Sequence, residues 1–284
     1  MSLAGDTWPA PAKLNLFLHV TGRREDGYHD LQTLFQLLDW GDEVRIRENR
    51  TGVIRKSGPD YGVPDHLDLV IRAAESLKRE TGASGGAEIQ VRKQIPMGSG
   101  LGGGSSDAAT VLLVLNQAWG CGLSEDELAS LGADLGADVP VFVRGNSAMA
   151  TGIGAKLEPV SLGERHYVLV FPGFSVSTAD VFGDAGLKRD SKAIEVQAAI
   201  AGAGRNDCQP VVERRFPEMR DMLGSLEKWG SPRMTGTGSA IFIPMEGKKR
   251  AMSAAQQIKS LYNSRAVRGV DRSSVHEKLY TGGT

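Results

Sequence analysis

Pro96-Met97-Gly98-Ser99-Gly100-Leu101-Gly102-Gly103-Gly104-Ser105-Ser106, running into Asp107-Ala-Ala-Thr-Val-Leu-Leu-Val-Leu115, is the stretch that organises the rest of the chain. Five of its first eleven residues are Gly, and the run after them is apolar enough for a largely buried helix. A glycine-rich loop entering a helix N-terminus gathers unpaired N–H groups and the positive end of the helix dipole at one spot. Glycine adopts positive φ and lets the backbone approach a ligand closely. Together these features predict a phosphate cradle. The formal Gly-x-Gly-x-x-Gly match (Gly98, Gly100, Gly103) suggests a dinucleotide turn, which should follow an apolar parallel strand and precede a second strand ending in an acid. Residues 92–97 are instead charged and contain Pro96, and Glu125 and Asp126 open a helix. The Gly-Lys-Ser/Thr ending of a P-loop is absent. A purely structural turn is the remaining alternative, though loops this long usually carry function.

Composition sets outer limits. A chain of 284 residues suggests about two domains. With 40% hydrophobic and 24% charged residues it reads as globular. A net charge of −1 and a pI near 6.5 argue against a nucleic-acid partner. Cys121 and Cys208 are too few and too distant for a zinc site or a disulfide framework, which fits a reducing cytoplasm. No apolar run approaches the ~20 residues of a membrane helix, so no membrane partner is expected. Met1-Ser-Leu3 reads as a vector remnant.

Alternating residues predict strands over 14–20, 43–47 and 87–92, with an apolar strand at 31–38. Helical spacing covers 69–80. Ser124 with Glu127 three residues on predicts a capping box. Asp138-Val-Pro-Val-Phe-Val143 reads as an acid entering an apolar strand. Past a boundary near 152–159, a core strand at 166–171 ends at Pro172-Gly173. Helices are expected at 194–200, 217–229 and 248–261, a glycine turn feeding a strand at 234–243, and a last strand at 264–270. Without regular βαβ alternation, the class is α+β in two domains, 1–157 and 158–284.

Single residues are ambiguous. Lys13 and Asn15 share a strand face with Phe17 and His19, opposite an expected core face of Leu14, Leu16, Leu18 and Val20. A lysine is usually a solvated surface charge. Asp138 is either a turn cap or a placed carboxylate. Tyr28-His29 ends a polar turn, and Asn206-Asp207 reads as an Asx turn.

Taken together, Pro11-Ala-Lys-Leu-Asn-Leu16, Gly27-Tyr-His-Asp-Leu31, the glycine-serine loop, Gly136-Ala-Asp-Val-Pro140, Pro172-Gly173, Asn206-Asp207 and Thr235-Gly-Thr-Gly238 resemble, in order, the segments of GHMP-type small-molecule kinases. The resemblance implies an N-terminal domain resembling a ribosomal-protein fold and a C-terminal ferredoxin-like α/β sandwich, with the site in the cleft between them. It implies transfer of the γ-phosphoryl of ATP, with Mg²⁺, to the 2-hydroxyl of a cytidine diphosphate methylerythritol, a step in making isoprenoid precursors. Residues 96–106 would wrap the ATP phosphates, with Ser105 and Ser106 adding hydroxyls. No protein ligand to the metal is assigned. Lys13 and Asp138 would be the catalytic pair, with Asn15 near the reacting end. Tyr28 and Phe182 would sandwich the cytosine, and His29 would bond its edge. Phe182 as simple core packing, a GHMP kinase for mevalonate derivatives, homoserine or a sugar, a nicotinamide-dependent oxidoreductase and a non-enzymatic RNA-binding module are the alternatives. Residues 184–204 and the tail after Asp271 carry no usable pattern.

Overall fold

The computed structural model describes residues 6–281. Its strands are β1 (Thr7–Arg23), β2 (His29–Asn49), β3 (Ile54–Ser57), β4 (Gly86–Arg92), β5 (Ala148–Gly152), β6 (Lys156–Pro159), β7 (Arg165–Phe171), β8 (Arg233–Met234), β9 (Ile241–Met245) and β10 (Asn263–Val270). Its α-helices are α1 (Leu69–Thr81), α2 (Gly103–Ala118), α3 (Glu125–Ala133), α4 (Val139–Arg144), α5 (Thr178–Gly183), α6 (Val196–Ile200), α7 (Gln209–Arg215), α8 (Pro217–Leu226), α9 (Lys248–Ile258) and α10 (Ser274–Thr281). The strands form one mixed sheet in the order β3-β4-β2-β10-β7-β9-β8, with β1 and β5 also paired to β2. The α+β class expected from the sequence is the class observed. Among the described residues, no helix is long and apolar enough to cross a membrane.

Two expected strands, 31–38 and 43–47, are one. β2 runs 21 residues, pairing with β5 through its first half and with β4 through its second. The expected single core face of β1 is also corrected. Leu14 packs in one apolar cluster, Leu18 and Val20 in a second, Phe17 in a third. The cause is irregular pairing with β2: register shifts fall between Pro11 and Lys13, between Asn15 and Leu18, and between Val20 and Gly22. Each shift redirects the side chains beyond it. Lys13 and Asn15 lie between two such shifts, and both are buried.

The strand expected after Asp138 is a helix, α4, with Asp138 at its N-cap. Apolar residues at 139, 141, 142 and 143 satisfy either period over so short a run, and burial on all sides hides the difference. The glycine-serine stretch is also partly helical, because α2 begins at Gly103. α2 is buried from Ser106 to Leu115 and sits in the N-terminal core with α1, α3 and α4. Ser124 and Glu127 form the expected capping box. α7, α8 and α9 fill a second core against β7 and β9. The Met1-Ser-Leu3 segment lies outside the described residues.

The unread tail is α10, which packs on the first core although it follows the last strand. His276 anchors it, buried, with Nε2 donating to the Val143 carbonyl at the end of α4 (2.8 Å). A Cβ on Gly145 would lie 2.2 Å from its Nδ1, so only glycine fits there. Burial, helped by the Arg272 charge, pushes His276 down to about 4, from an ordinary 6.5. Between those values the unfolded chain holds a proton that the folded one rejects, so stability falls as pH falls from 6.5 to 4. The linked loss is about 3 kcal/mol. Urea melts across that window should show it, and His276→Gln should remove that component of the pH slope.

Candidate active site

A cleft of about 570 Å³ runs between the two cores. Its wall includes Lys13, Asn15, Thr33, Asp138, Phe182, most of the glycine loop and the turn at 236–238. The loop's carbonyls are held back against the protein. The Gly98 carbonyl accepts from Ser239 N–H (3.1 Å), Ser99 from Ala240 (3.0 Å) and Leu101 from Lys13 N–H (3.0 Å). Gly98, Gly100 and Gly102 have φ of 65°, 75° and 76°. A Cβ at Gly100 would lie 2.4 Å from the Thr235 carbonyl, so the two glycine turns meet there backbone to backbone. The second turn is held from below: Asn206 Nδ2 donates to the carbonyls of Met234 (2.9 Å) and Gly236 (2.7 Å). Asn206 Oδ1 also accepts from Cys208 N–H (2.9 Å), the Asx turn expected from the sequence.

No side chain caps the N-terminus of α2. Its first-turn amides and the dipole of a 16-residue helix are left for a ligand in the cleft. The eleven loop residues are not equivalent. Leu101 is fully buried in the core beneath the cradle. The Ser106 hydroxyl is buried with no hydrogen-bond partner among the described residues. Ser105 lines the cleft, and a Cβ on Gly136 would lie 3.7 Å from its Oγ, so it faces the turn leading to Asp138.

Lys13 and Asp138, 125 positions apart in the chain, meet at this cradle: Nζ to Oδ2 is 3.2 Å. The ammonium also donates to Asn15 Oδ1 (2.6 Å) and to the Gly100 carbonyl (3.0 Å), so all three of its protons are directed. Asn15 is fixed in turn: its Nδ2 donates to Thr33 Oγ1 (2.9 Å), and its backbone N–H to Thr235 Oγ1 (2.8 Å). The solvated-lysine alternative fails, because the Lys13 side chain is 3% exposed. Asp138 holds the N-cap position of α4 yet makes no capping bond. Its carboxylate reaches across to Lys13 instead and stays 35% exposed toward the cleft.

The expected base slot is only partly assembled. Phe182 lines the cleft, and the His29 ring lies stacked on it, centroids 5.3 Å apart at 27°. Tyr28 is 66% exposed and makes no ring contact among the described residues. Burial, with the charges of Arg189 and Arg23 adding, holds His29 below the usual imidazole range.

One group was not foreseen. At the other end of the cleft Lys93 lies between two carboxylates, bonded to Asp42 and to Asp107 (2.8 Å). Burial pushes Asp107 up to about 7, against the pull of the Lys93 ammonium, and its Oδ1 has no partner among the described residues. Asp42 also accepts from the backbone N–H of Ile95 (2.7 Å), which fixes the entry to the glycine loop. The oxidoreductase alternative has lost its fold. The strand before the loop, β4, pairs antiparallel with β2, and its one parallel partner, β3, precedes it in the chain through α1, so no strand following the loop and α2 pairs with β4 among the described residues.

The profile for the GHMP kinases N terminal domain matches residues 68–146, and that for the GHMP kinases C terminal matches 187–264. A 4-diphosphocytidyl-2-C-methyl-D-erythritol kinase of Pseudomonas aeruginosa (strain LESB58) is 50% identical over 96% of this chain and 97% of its own. One of the same name from Halorhodospira halophila (strain DSM 244 / SL1) is 48% identical over 96% of each. A crystal structure of a 4-(cytidine 5'-diphospho)-2C-methyl-D-erythritol kinase superposes with a TM-score of 0.81 at 36% identity, covering 93% of this chain and 100% of the other.

Proposed function

The chain belongs to the GHMP kinases, and from its identity to kinases named for that substrate we propose that it transfers the γ-phosphoryl of ATP to the 2-hydroxyl of 4-diphosphocytidyl-2-C-methyl-D-erythritol. The products are ADP and the 2-phosphate, and the step belongs to non-mevalonate isoprenoid precursor synthesis in the cytoplasm. The observation that carries the mechanism is the Lys13–Asp138 pair, 3.2 Å apart, beside a glycine cradle whose helix has no cap.

Phosphoryl transfer needs positioning and stabilisation of spread negative charge more than covalent help. The cradle's amides and the α2 dipole take the β- and γ-phosphates. Lys13 offsets charge on the transferring group. Asp138 accepts the proton of the 2-hydroxyl as its oxygen bonds to the γ-phosphorus and the bond to the β-bridging oxygen breaks. Lys13 holds Asp138 by Oδ2, so Oδ1 is the oxygen offered to that proton. Mg²⁺ prefers oxygen ligands and keeps its waters, so it would sit mainly on the ATP phosphates, with the Ser105 hydroxyl beside the cradle as the protein oxygen offered.

Residues 1–157 supply the cradle, Lys13 and Asp138, and residues 158–284 supply Phe182 and the bracing turn at 235–238. The cytidine end uses Tyr28, His29 and Phe182. The adenosine of ATP takes the opposite end, between Leu67, Val63, Tyr61 and the Lys93–Asp107 pair. For the cytidine end, Tyr28 must swing onto the ring from its exposed position, and stacking is worth about 1–3 kcal/mol per base. Tyr28→Ala should therefore raise the KM for the cytidyl substrate about tenfold while leaving the KM for ATP near its starting value. Equal rises in both would remove Tyr28 from the slot.

Coupled ADP release, measured with the cytidyl substrate beside mevalonate, homoserine and galactose, tests the whole reading. Turnover is expected with the first alone. Faster turnover with any other would reassign the substrate within the family.

A further inference from the structure

The segment after Phe182 carries no sequence signal, yet it supplies a side chain that joins both walls of the base slot. Arg189 makes four hydrogen bonds. Nε donates to His29 Nε2 (2.9 Å), Nη1 to the Leu187 carbonyl (3.1 Å), and Nη2 to the carbonyls of Phe182 (2.9 Å) and Asp184 (2.8 Å). A guanidinium only donates, so the His29 nitrogen it meets must present a lone pair. The imidazole proton is thereby placed on Nδ1. The positive charge next to the ring also opposes a second proton, as does Arg23. Arg189 thus fixes the hydrogen-bonding identity of His29 while tying down the backbone of Phe182, on which that ring is stacked.

We propose that Arg189 is a positioning residue that makes His29 a neutral Nδ1–H donor, and that this choice selects cytosine over uracil in the substrate. The inference rests on the cytidyl reading above. Cytosine offers an acceptor at N3 where uracil carries N–H, while O2 accepts in both, so the His29 proton discriminates by meeting N3. A ring presenting only N–H pairs with the first and leaves two donors facing each other in the second. Sites built around one hydrogen bond reject the mismatched group because buried polar atoms are left unpaired. The other tautomer would reverse the preference.

Long-range ¹⁵N correlation spectra of the full-length enzyme, with the His29 signal assigned through His29→Gln, read the tautomer directly. A protonated Nδ1 and bare Nε2 are expected from pH 7 to 9. Arg189→Leu should give mixed tautomers and a raised His29 pKa. It should raise the KM for the cytidyl substrate without changing kcat or the KM for ATP. Discrimination against the uridine diphosphate counterpart should fall about 10- to 100-fold. Arg189→Lys, which keeps a charge and a donor, should restore part of that discrimination. An Nε2–H tautomer in the unaltered enzyme would overturn the proposal. So would a loss in Arg189→Leu that is equal for both substrates with the tautomer unchanged, since that is what a purely structural arginine would give. Should the unaltered enzyme turn over neither nucleotide, the substrate reading fails, while the spectra still decide whether Arg189 sets the tautomer.

Discussion

Asp138→Asn should keep ATP binding and fold stability while kcat falls by at least ~10²-fold, the lower end of what a general base contributes. Asparagine has the same shape but cannot take up the hydroxyl proton. The fold should tolerate the change well. Asp138 occupies the N-cap of α4 without capping it, so no helix bond is lost. The amide oxygen can still accept from Lys13, so the buried ammonium is not abandoned. Thermal unfolding and nucleotide titration should therefore match the parent enzyme, and the whole effect should fall on turnover. A variant with near-normal kcat would take Asp138 out of the chemistry and return it to the role of a turn residue.

Lys13→Met is expected to cost about 10²–10³-fold in kcat, the loss seen when one preorganised donor is removed from developing charge. The damage should extend beyond chemistry. Three acceptors, Asn15 Oδ1, the Gly100 carbonyl and Asp138, lose the same cation, the first of them buried and the second half-buried. ATP binding should weaken along with turnover, which separates this variant from Asp138→Asn. Lys13→Arg should not rescue it. A Cβ on Gly102 would already lie 3.2 Å from Lys13 Cε and 2.9 Å from the Phe142 ring, so the channel fits a thin chain and a compact ammonium, not a planar fork. Substantial activity in Lys13→Arg would show that only charge matters there. Single-turnover rates and ATP titrations of the three variants distinguish these outcomes.

The sequence carried the parts of the site that are local. The loop's glycines mark positive φ directly, and three of them adopt it. The two-residue spacing of Lys13 and Asn15 correctly puts them together, because period-two projection survives within the short run between two register shifts. What lay beyond reach is set by distant pairing. Nothing at positions 14–20 announces that β1 changes register against β2 and divides its leucines between clusters. The helix at 139–144 is hidden because its first five residues, all apolar and buried, have no readable period. The Asp42–Lys93–Asp107 group joins three segments with no shared motif, and only the pairing of β2 with β4 brings the first two together. Arg189 is one arginine among many in the sequence. Its importance comes entirely from the four atoms that it reaches.

The first strand has a mechanical consequence. Its early residues, Trp8 and Ala10, are embedded in one hydrophobic mass and its later ones, Leu18 and Val20, in the other, with Lys13 between. An extended backbone shared by both halves acts as a common spine, which resists wide opening about a hinge. Rotating one half against the other would pull the Asn15 backbone off Thr235 Oγ1, beside the residue that orients Lys13. The shared strand limits how far the jaws of this kinase can part. Tyr28 and Met97, both more than half exposed, are side chains with room to swing as ligands enter and leave.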